Sequence, residues 1–290
     1  MSAPFSVVIP AHNEEAVIAR CLQALLHDAP RHALPEVVVV ANACNDRTAD
    51  IARQSAPHAK IVEIPVGSKT LAMNEGRKHV GAAPCFFLDA DVQCSHASLA
   101  ATAEVLEQPG VMIASPALRM DLSRSDRWVR AYYRVWLTQP YASDHLVGSG
   151  LFGISAAGLE SIGDFPPIFG DDVWLRTRFT RHERRSVPRG SDGQAAYFVV
   201  SPPRTWADQV RIEARRRIGI GEVANQFDTS DDLHLNHVGD LPRALAGGTS
   251  LLDVTIYVAM KAAAIGLYRW YRLLGRKPVW TRDTRARQPE

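Results

Sequence analysis

Phe86-Phe87-Leu88-Asp89-Ala90-Asp91-Val92 is the stretch on which the reading of the chain turns. Three apolar residues run straight into two carboxylates spaced i, i+2, so the run reads as the end of a buried strand. In an extended backbone alternate side chains share one face, and Asp89 and Asp91 can point the same way. Carboxylates held that close repel unless a cation stands between them. A hard divalent ion such as Mn²⁺ or Mg²⁺ meets that need and completes its shell with phosphate oxygens and water. The competing reading is a polar loop with two solvated acids, or a helix N-cap.

Upstream, the same layout repeats. Phe5 to Pro10 is a short apolar strand that exposes Ala11-His12-Asn13-Glu14 at its end. Val17, Ile18, Cys21, Leu22, Leu25 and Leu26 then recur at helical spacing to about Asp28. Glu36 to Ala41, with four consecutive valines, reads as a strand buried on both faces, followed by the polar turn Asn42 to Thr48. Asp46 is placed to cap the helix through Ile51. Ile61 to Ile64 is a third strand, and Gly67-Ser68-Lys69 opens a third helix. Cys85 to Leu88 is the fourth strand, Ser95 to Leu106 a helix and Val111 to Ala117 a fifth strand. Such alternation predicts parallel strands with right-handed crossovers and helices on both faces. Ligands of these sheets lie outside the carboxyl ends of the strands, where the polar residues above converge. Strand one is followed by neither a G-x-G-x-x-G nor a P-loop, which argues against dinucleotide dehydrogenases and P-loop phosphotransferases.

Beyond Asp121 the pattern changes. Ser123 to Leu137, with Trp128, Tyr132, Tyr133 and Trp136, predicts a helix covering the sheet. Gly148 to Ile154 reads as a loop feeding a strand, and Ala156 to Ile162 as a short helix. The breaker segment Phe165 to Gly170 delivers Asp171-Asp172 to a helix expected over Val173 to His182, whose dipole alone would favour acids there. Ala195 to Val200 is a last strand. Arg204 to Gly219 is strongly basic, fit either to hold a diphosphate or to form a solvated helix face. His234 and His237, three apart, are candidate metal ligands from the C-terminal side.

Bulk properties narrow the class. The 290 residues allow one large domain or a domain with an appendage, and a net charge of +2 gives no reason to expect nucleic acid. The four cysteines form no C-x-x-C pair and read as reduced thiols of a cytosolic protein. No signal-peptide layout precedes the first strand.

With these pieces in order, the chain resembles the inverting family 2 glycosyltransferases, which have the GT-A fold of the nucleotide-diphospho-sugar transferases. The matching stretches are Val8 to Glu15, Val40 to Thr48, Lys69 with Asn74, Asp89-Ala90-Asp91, Gly148-Ser149-Gly150 and Gly170-Asp171-Asp172, within about residues 5–220. The resemblance implies an α/β GT-A catalytic domain over 1–220, Rossmann-like, with a mostly parallel sheet and helices on both faces. Its nucleotide-sugar half would be 1–118 and its acceptor half 119–220, and 221–290 would form a helical C-terminal extension with a basic tail.

By that resemblance Pro10, Ala11, His12, Asn13 and Glu14 border the base and ribose of a UDP- or GDP-type donor, together with Asn42 and Asp46. Asn42 stands where the family usually has an acid, and an amide can pair with a uracil edge or another base. Lys69 would lie near the base or diphosphate, Asp89 near ribose or metal, and Asp91 would ligate Mn²⁺ or Mg²⁺. Gly148, Ser149 and Gly150 belong to the acceptor side, and Asp171-Asp172 is the acid pair whose second member is the general base. The chemistry asks for this division: charge grows on the leaving diphosphate and needs a cation, while a carboxylate on the opposite face takes the acceptor's proton. Two other readings share the fold, a noncatalytic scaffold subunit and a sugar-nucleotide nucleotidyltransferase. The latter would want a Gly-rich basic loop where Ala11-His12-Asn13-Glu14 stands. The acceptor is expected to be a sugar or a lipid-linked hydroxyl.

Leu251 to Tyr271 is strongly apolar, interrupted by Asp253, Lys261 and Arg269. The uncharged runs are too short for a spanning helix. At about 100° per residue these charges share one broad face, and Arg272, Arg276, Lys277, Arg282, Arg285 and Arg287 follow. This is the layout of an interfacial helix with a polybasic flank, which would place the protein peripherally on the inner face of the cytoplasmic membrane. The alternative for 250–275 is a helix packing its apolar face on the catalytic domain or on a second copy.

Overall fold

The computed structural model describes residues 5–143, 148–227, 229 and 240–274. His234, His237 and the basic residues from Arg276 onward lie outside the described residues.

In the first third strand and helix alternate: β1 (Ser6–Ala11), α1 (Ile18–Leu26), β2 (Glu36–Asn42), α2 (Thr48–Ser55), β3 (Lys60–Ile64), α3 (Lys69–Arg77) and β4 (Cys85–Leu88). Strands β3, β2, β1 and β4 are neighbours in that order and all parallel. Then come β5 (Gln93–Cys94), α4 (His96–Leu106), β6 (Ile113–Met120), α5 (Arg127–Trp136), the single turn α6 (Pro140–Ser143), β7 (Leu151–Ile154), α7 (Ala156–Ile162), α8 (Asp171–Arg178), β8 (Arg184–Val187), β9 (Tyr197–Val200), α9 (Trp206–Gln226), α10 (Leu241–Ala246) and α11 (Leu251–Leu273). The sheet order is β3-β2-β1-β4-β7-β6-β9-β5, with β8 paired to β6. Strand β7 runs antiparallel to both β4 and β6, and β5 antiparallel to β9, so the sheet is mixed on this side.

Period-two burial builds the core. Val7, Ile9, Val37, Val39, Phe86 and Leu88 pack on one side with Ile18, Leu22, Leu25 and Leu99 of α1 and α4. Val8 and Phe87 face the other way, onto Met73 of α3 and Trp174 of α8, and Val38 and Val40 meet Ala72. A third cluster lies apart from these two: Tyr132, Tyr133 and Trp136 of α5 with Val210 of α9 and Tyr257, Met260 and Ala264 of α11.

Several expectations are corrected here. Helix α5 meets the sheet where Leu118 and Met120 of β6 pack against its cluster, but its aromatic face is shared with α9 and α11, partners too distant in sequence for local periodicity to reveal. Helix α8 begins at Asp171 and ends at Arg178, followed by a 3₁₀ turn at Arg181–Glu183. Helix α9 runs through residue 220, where the sequence reading ended the catalytic domain. Strands β5 and β8 were not expected: one has two residues and the other is Arg-Arg-Ser-Val, so neither shows an apolar alternation. Asp46 precedes the N-cap residue Arg47, yet its carboxylate still accepts from Thr48 N (3.0 Å) and Thr48 Oγ1 (2.6 Å).

Candidate active site

The carboxyl ends of β1, β2 and β4 open on a cleft of about 670 Å³ whose far wall comes from α8 and α9. Of the residues singled out from sequence, Pro10, His12, Glu14, Asn42, Lys69, Asp89, Asp91, Gly148, Ser149, Gly150, Asp171 and Asp172 line it. Ala11, Asn13 and Asp46 are not in its wall and brace the loops behind it. Ala11 O accepts from Asn42 Nδ2 (2.8 Å), Asn13 Oδ1 from Asn45 N (2.7 Å) and Asp46 Oδ2 from Glu15 N (3.2 Å). Glu14 N donates to Thr48 Oγ1 (2.6 Å) and His12 Nδ1 meets Asn42 O, so the loops after β1 and β2 are tied into one rim. Asn42 is buried; its Nδ2 is spent on Ala11, and its Oδ1 has no protein partner.

Ser68 caps α3 by accepting from Leu71 N, which sets Lys69 at the first helical position. The Lys69 ammonium lies 2.8 Å from Asp89 Oδ1 and 3.1 Å from Asp171 Oδ2, joining the two acidic motifs. Burial works against the charged lysine, but Asp171 and Asp89 outweigh it, and its pKa is raised. Burial pushes Asp171 up to about 6, against the pull of Lys69 and with the help of Asp172 and Asp89.

The Gly148-Ser149-Gly150 loop threads between these acids, with φ of 111°, 57° and 98° in succession. A Cβ on Gly148 would stand 2.9 Å from Asp172 Cβ, and one on Gly150 2.6 Å from Val92 Cγ2, so the approach admits only glycine. Gly150 O in turn accepts from Asp89 N (2.8 Å), fixing the start of the D-x-D turn.

Three contributors were not assigned from sequence. Asn74 clamps Phe165 through both backbone groups (2.9 Å each) and so fixes the segment that delivers Asp171. Tyr141, whose hydroxyl meets Ser149 Oγ (3.3 Å), is pushed above its usual pKa by burial and Asp172. Tyr133 lines the cleft and donates to Gln209 Oε1 (3.1 Å). The aromatic pattern marked Tyr133 only as helical, the family resemblance marked Asn74 only as part of a motif without a role, and nothing marked Tyr141. From the basic segment, Arg215 and Arg216 line the cleft.

Among the described residues no three His, Cys, Asp or Glu side chains form a metal cluster. Asp89 and Asp91 supply hard oxygen donors and leave positions for other ligands. That suits an ion sharing its shell with a diphosphate and water rather than one caged by protein.

The chain matches the family model described as glycosyl transferase family 2 over residues 6–161. No curated protein matches it in sequence. Among solved structures it is similar to a mannosyltransferase from Pyrobaculum calidifontis in complex with GDP-Man and Mn²⁺, at 22% identity and a TM-score of 0.59 over 94% of this chain and 85% of that one. It is also similar to glucosyl-3-phosphoglycerate synthase from Mycobacterium tuberculosis. The form in complex with Mn²⁺, UDP-Glc and glycerol 3-phosphate aligns at 19% identity and a TM-score of 0.55, over 79% of this chain and 81% of that one.

Proposed function

The chain belongs to glycosyl transferase family 2, and from that premise we propose that it transfers a sugar, with inversion, from a UDP- or GDP-type nucleotide sugar to an acceptor hydroxyl. The observation that carries the proposal is the convergence of Asp89, Asp91, Asp171 and Asp172 on one cleft, with Lys69 between the two motifs.

Asn42 Oδ1, buried and an acceptor once Nδ2 is spent on Ala11, fits an N–H on the edge of uracil or guanine. Asp89 and Asp91 would hold Mn²⁺ or Mg²⁺, which when bound offsets the charge growing on the diphosphate. Lys69 is within reach of the same oxygens and adds a charge-assisted donor. Asp171 is buried with its carboxylate turned onto Lys69, which leaves it less accessible than Asp172 to an incoming hydroxyl. Asp172 lines the cleft beside the Gly148–Gly150 loop and takes the acceptor's proton. Arg215 and Arg216 give the acceptor end of the cleft a positive wall. Cys21, Cys44, Cys85 and Cys94 are free thiols, which supports a cytoplasmic address.

The test is Asp172→Asn. The amide keeps the shape and loses the basicity, so donor binding by calorimetry should be unchanged while turnover falls ~10²-fold or more. An active Asp172→Asn beside a dead Asp171→Asn would reassign the base. Retained donor binding with no transfer or donor hydrolysis in the wild type would favour the scaffold reading.

A further inference from the structure

Helix α11 is long and apolar enough to cross a membrane by length and composition alone, yet two of its charges, Asp253 and Lys261, are committed to the protein. Asp253 is paired to Arg134 of α5, with Arg134 Nε 3.1 Å from Asp253 Oδ2, and Lys261 to Glu213 of α9. Asp253, Tyr257, Met260 and Ala264 are buried, and they lie within about 60° of one another around the helix. The inward face is thus a core face that also carries the ion-paired Asp253 and Lys261, while a second apolar face is left outward, unlike an ordinary surface helix. Leu252 is 66% exposed, Val258 46%, Trp270 57% and Leu273 82%, and all fall on one arc of about 120°. Thr255 and Arg269 share that arc; the Thr255 hydroxyl is spent on Leu251 O (2.8 Å), and Arg269 stands at the C-terminal end. The exposed charges on α11 are Arg269 and Arg272, both cationic and both in its last two turns.

An exposed apolar face charged only toward its C-terminal end calls for an occupant. We propose that it is the surface of an anionic lipid bilayer, on which α11 lies flat with Trp270 at the headgroup level. The sequence that continues from this end, residues 275–290, carries five Lys or Arg against two Asp or Glu, so the cationic end of the face meets the negative leaflet. A second copy of the chain would gain nothing from that charge and would set it against itself. Spanning would require Asp253 to leave Arg134 and Lys261 to leave the buried Glu213.

The placement also bears on the acceptor, and in this respect it rests on the transfer reading. Helix α9 lines the cleft with Ile212, Arg215 and Arg216 and, through Glu213, holds Lys261 of α11. The bilayer would therefore lie one helix behind the cleft wall, about 10 Å at usual packing distances, within reach of a lipid-linked acceptor.

Deleting α11 would uncover Tyr132 and Trp136, so outward-facing substitutions make the cleaner experiment. Full-length protein is sedimented at low salt with vesicles of phosphatidylcholine, alone or mixed with phosphatidylglycerol, and compared with Val258→Glu/Trp270→Glu. Expected are binding of the wild type to the anionic vesicles, weaker binding to the neutral ones, and at least a tenfold loss in the variant at unchanged melting temperature. Three outcomes would overturn the proposal: no wild-type binding, equal binding of the variant, or a wild-type dimer in sedimentation velocity that the variant dissociates while vesicles bind neither. Donor hydrolysis measured in detergent-free solution tests the transfer reading separately and should be the same for both proteins.

Discussion

At the cleft, Lys69 is shared by Asp89 and Asp171, with Asp91 and Asp172 in the same wall; beneath α11, Glu213 lies between Lys261 and Arg216, and Asp253 has Arg134. The consequences for the buried acids are opposite. Asp171 is pushed up to about 6 by burial that Lys69 does not fully offset. Glu213 is equally hidden, but Lys261 and Arg216 overcome the cost of burial and hold it down to about 2. Acids crowded around one cation mark a place built to receive another, whereas acids matched by cations mark structure.

The sharpest way to break that contrast is at the metal motif. Asp91→Ala should reduce transfer by ~10³-fold or more and remove Mn²⁺-dependent nucleotide binding, because the leaving diphosphate loses its counter-charge. The circular dichroism spectrum and melting temperature should stay near the wild type, since Asp91 is half-buried in the cleft wall and outside the apolar cores. Metal-dependent nucleotide affinity surviving in Asp91→Ala would remove Asp91 from the ligand set.

The matched region should fail differently. Glu213→Ala leaves Lys261 buried without its acid and frees Arg216, at a cost of about 3 kcal/mol in chemical denaturation. A loss well under 1 kcal/mol would mean that water replaces the carboxylate and that the pair does not anchor α11.

These two regions were unequally legible in the sequence. The motifs of the first half follow short apolar strands, and parallel topology carries strand ends to one edge, so Asn42, Lys69 and Asp89 could be gathered from the sequence pattern; Asp171 follows a breaker segment and was tied to them only by the family resemblance. The pairs beneath α11 join residues 119 and 48 positions apart, Arg134 with Asp253 and Lys261 with Glu213. No period or motif reports such a separation. The sequence reading accordingly placed the charges of α11 on one face but left open which way that face points. Asn74 was noticed only as part of a motif, because its work is on the backbone of Phe165.

The Gly148–Gly150 loop probes how tightly the two acidic motifs are spaced. Gly150→Ala should cost about 2 kcal/mol of stability, since its φ of 98° and the 2.6 Å approach to Val92 both resist a side chain. Turnover should fall with it, because Gly150 O holds Asp89 N. Full activity in a destabilised variant would show that the D-x-D turn does not depend on this loop.

The smallest expected effect separates the regions by sign, in the pH dependence of stability of metal-free protein. Asp171 has a folded pKa of about 6 against an ordinary 3.8, so between those values the folded state binds more protons than the unfolded one. Its contribution therefore grows as pH falls from about 6 toward 4. Glu213 and Asp253 are both held at about 2, Glu213 by its two cations and Asp253 chiefly by hydrogen bonds from Arg134. Their stabilisation is fully present above the ordinary carboxylate values of 4.5 and 3.8 and is lost as pH falls through about 2. Denaturation midpoints measured from pH 7 down to about 2.5 should rise slightly and then fall. Asp171→Asn should flatten the upper limb alone and Glu213→Gln should shallow the lower limb alone. If Asp171→Asn instead changed the lower limb, the proton uptake assigned to the cleft would belong to another group.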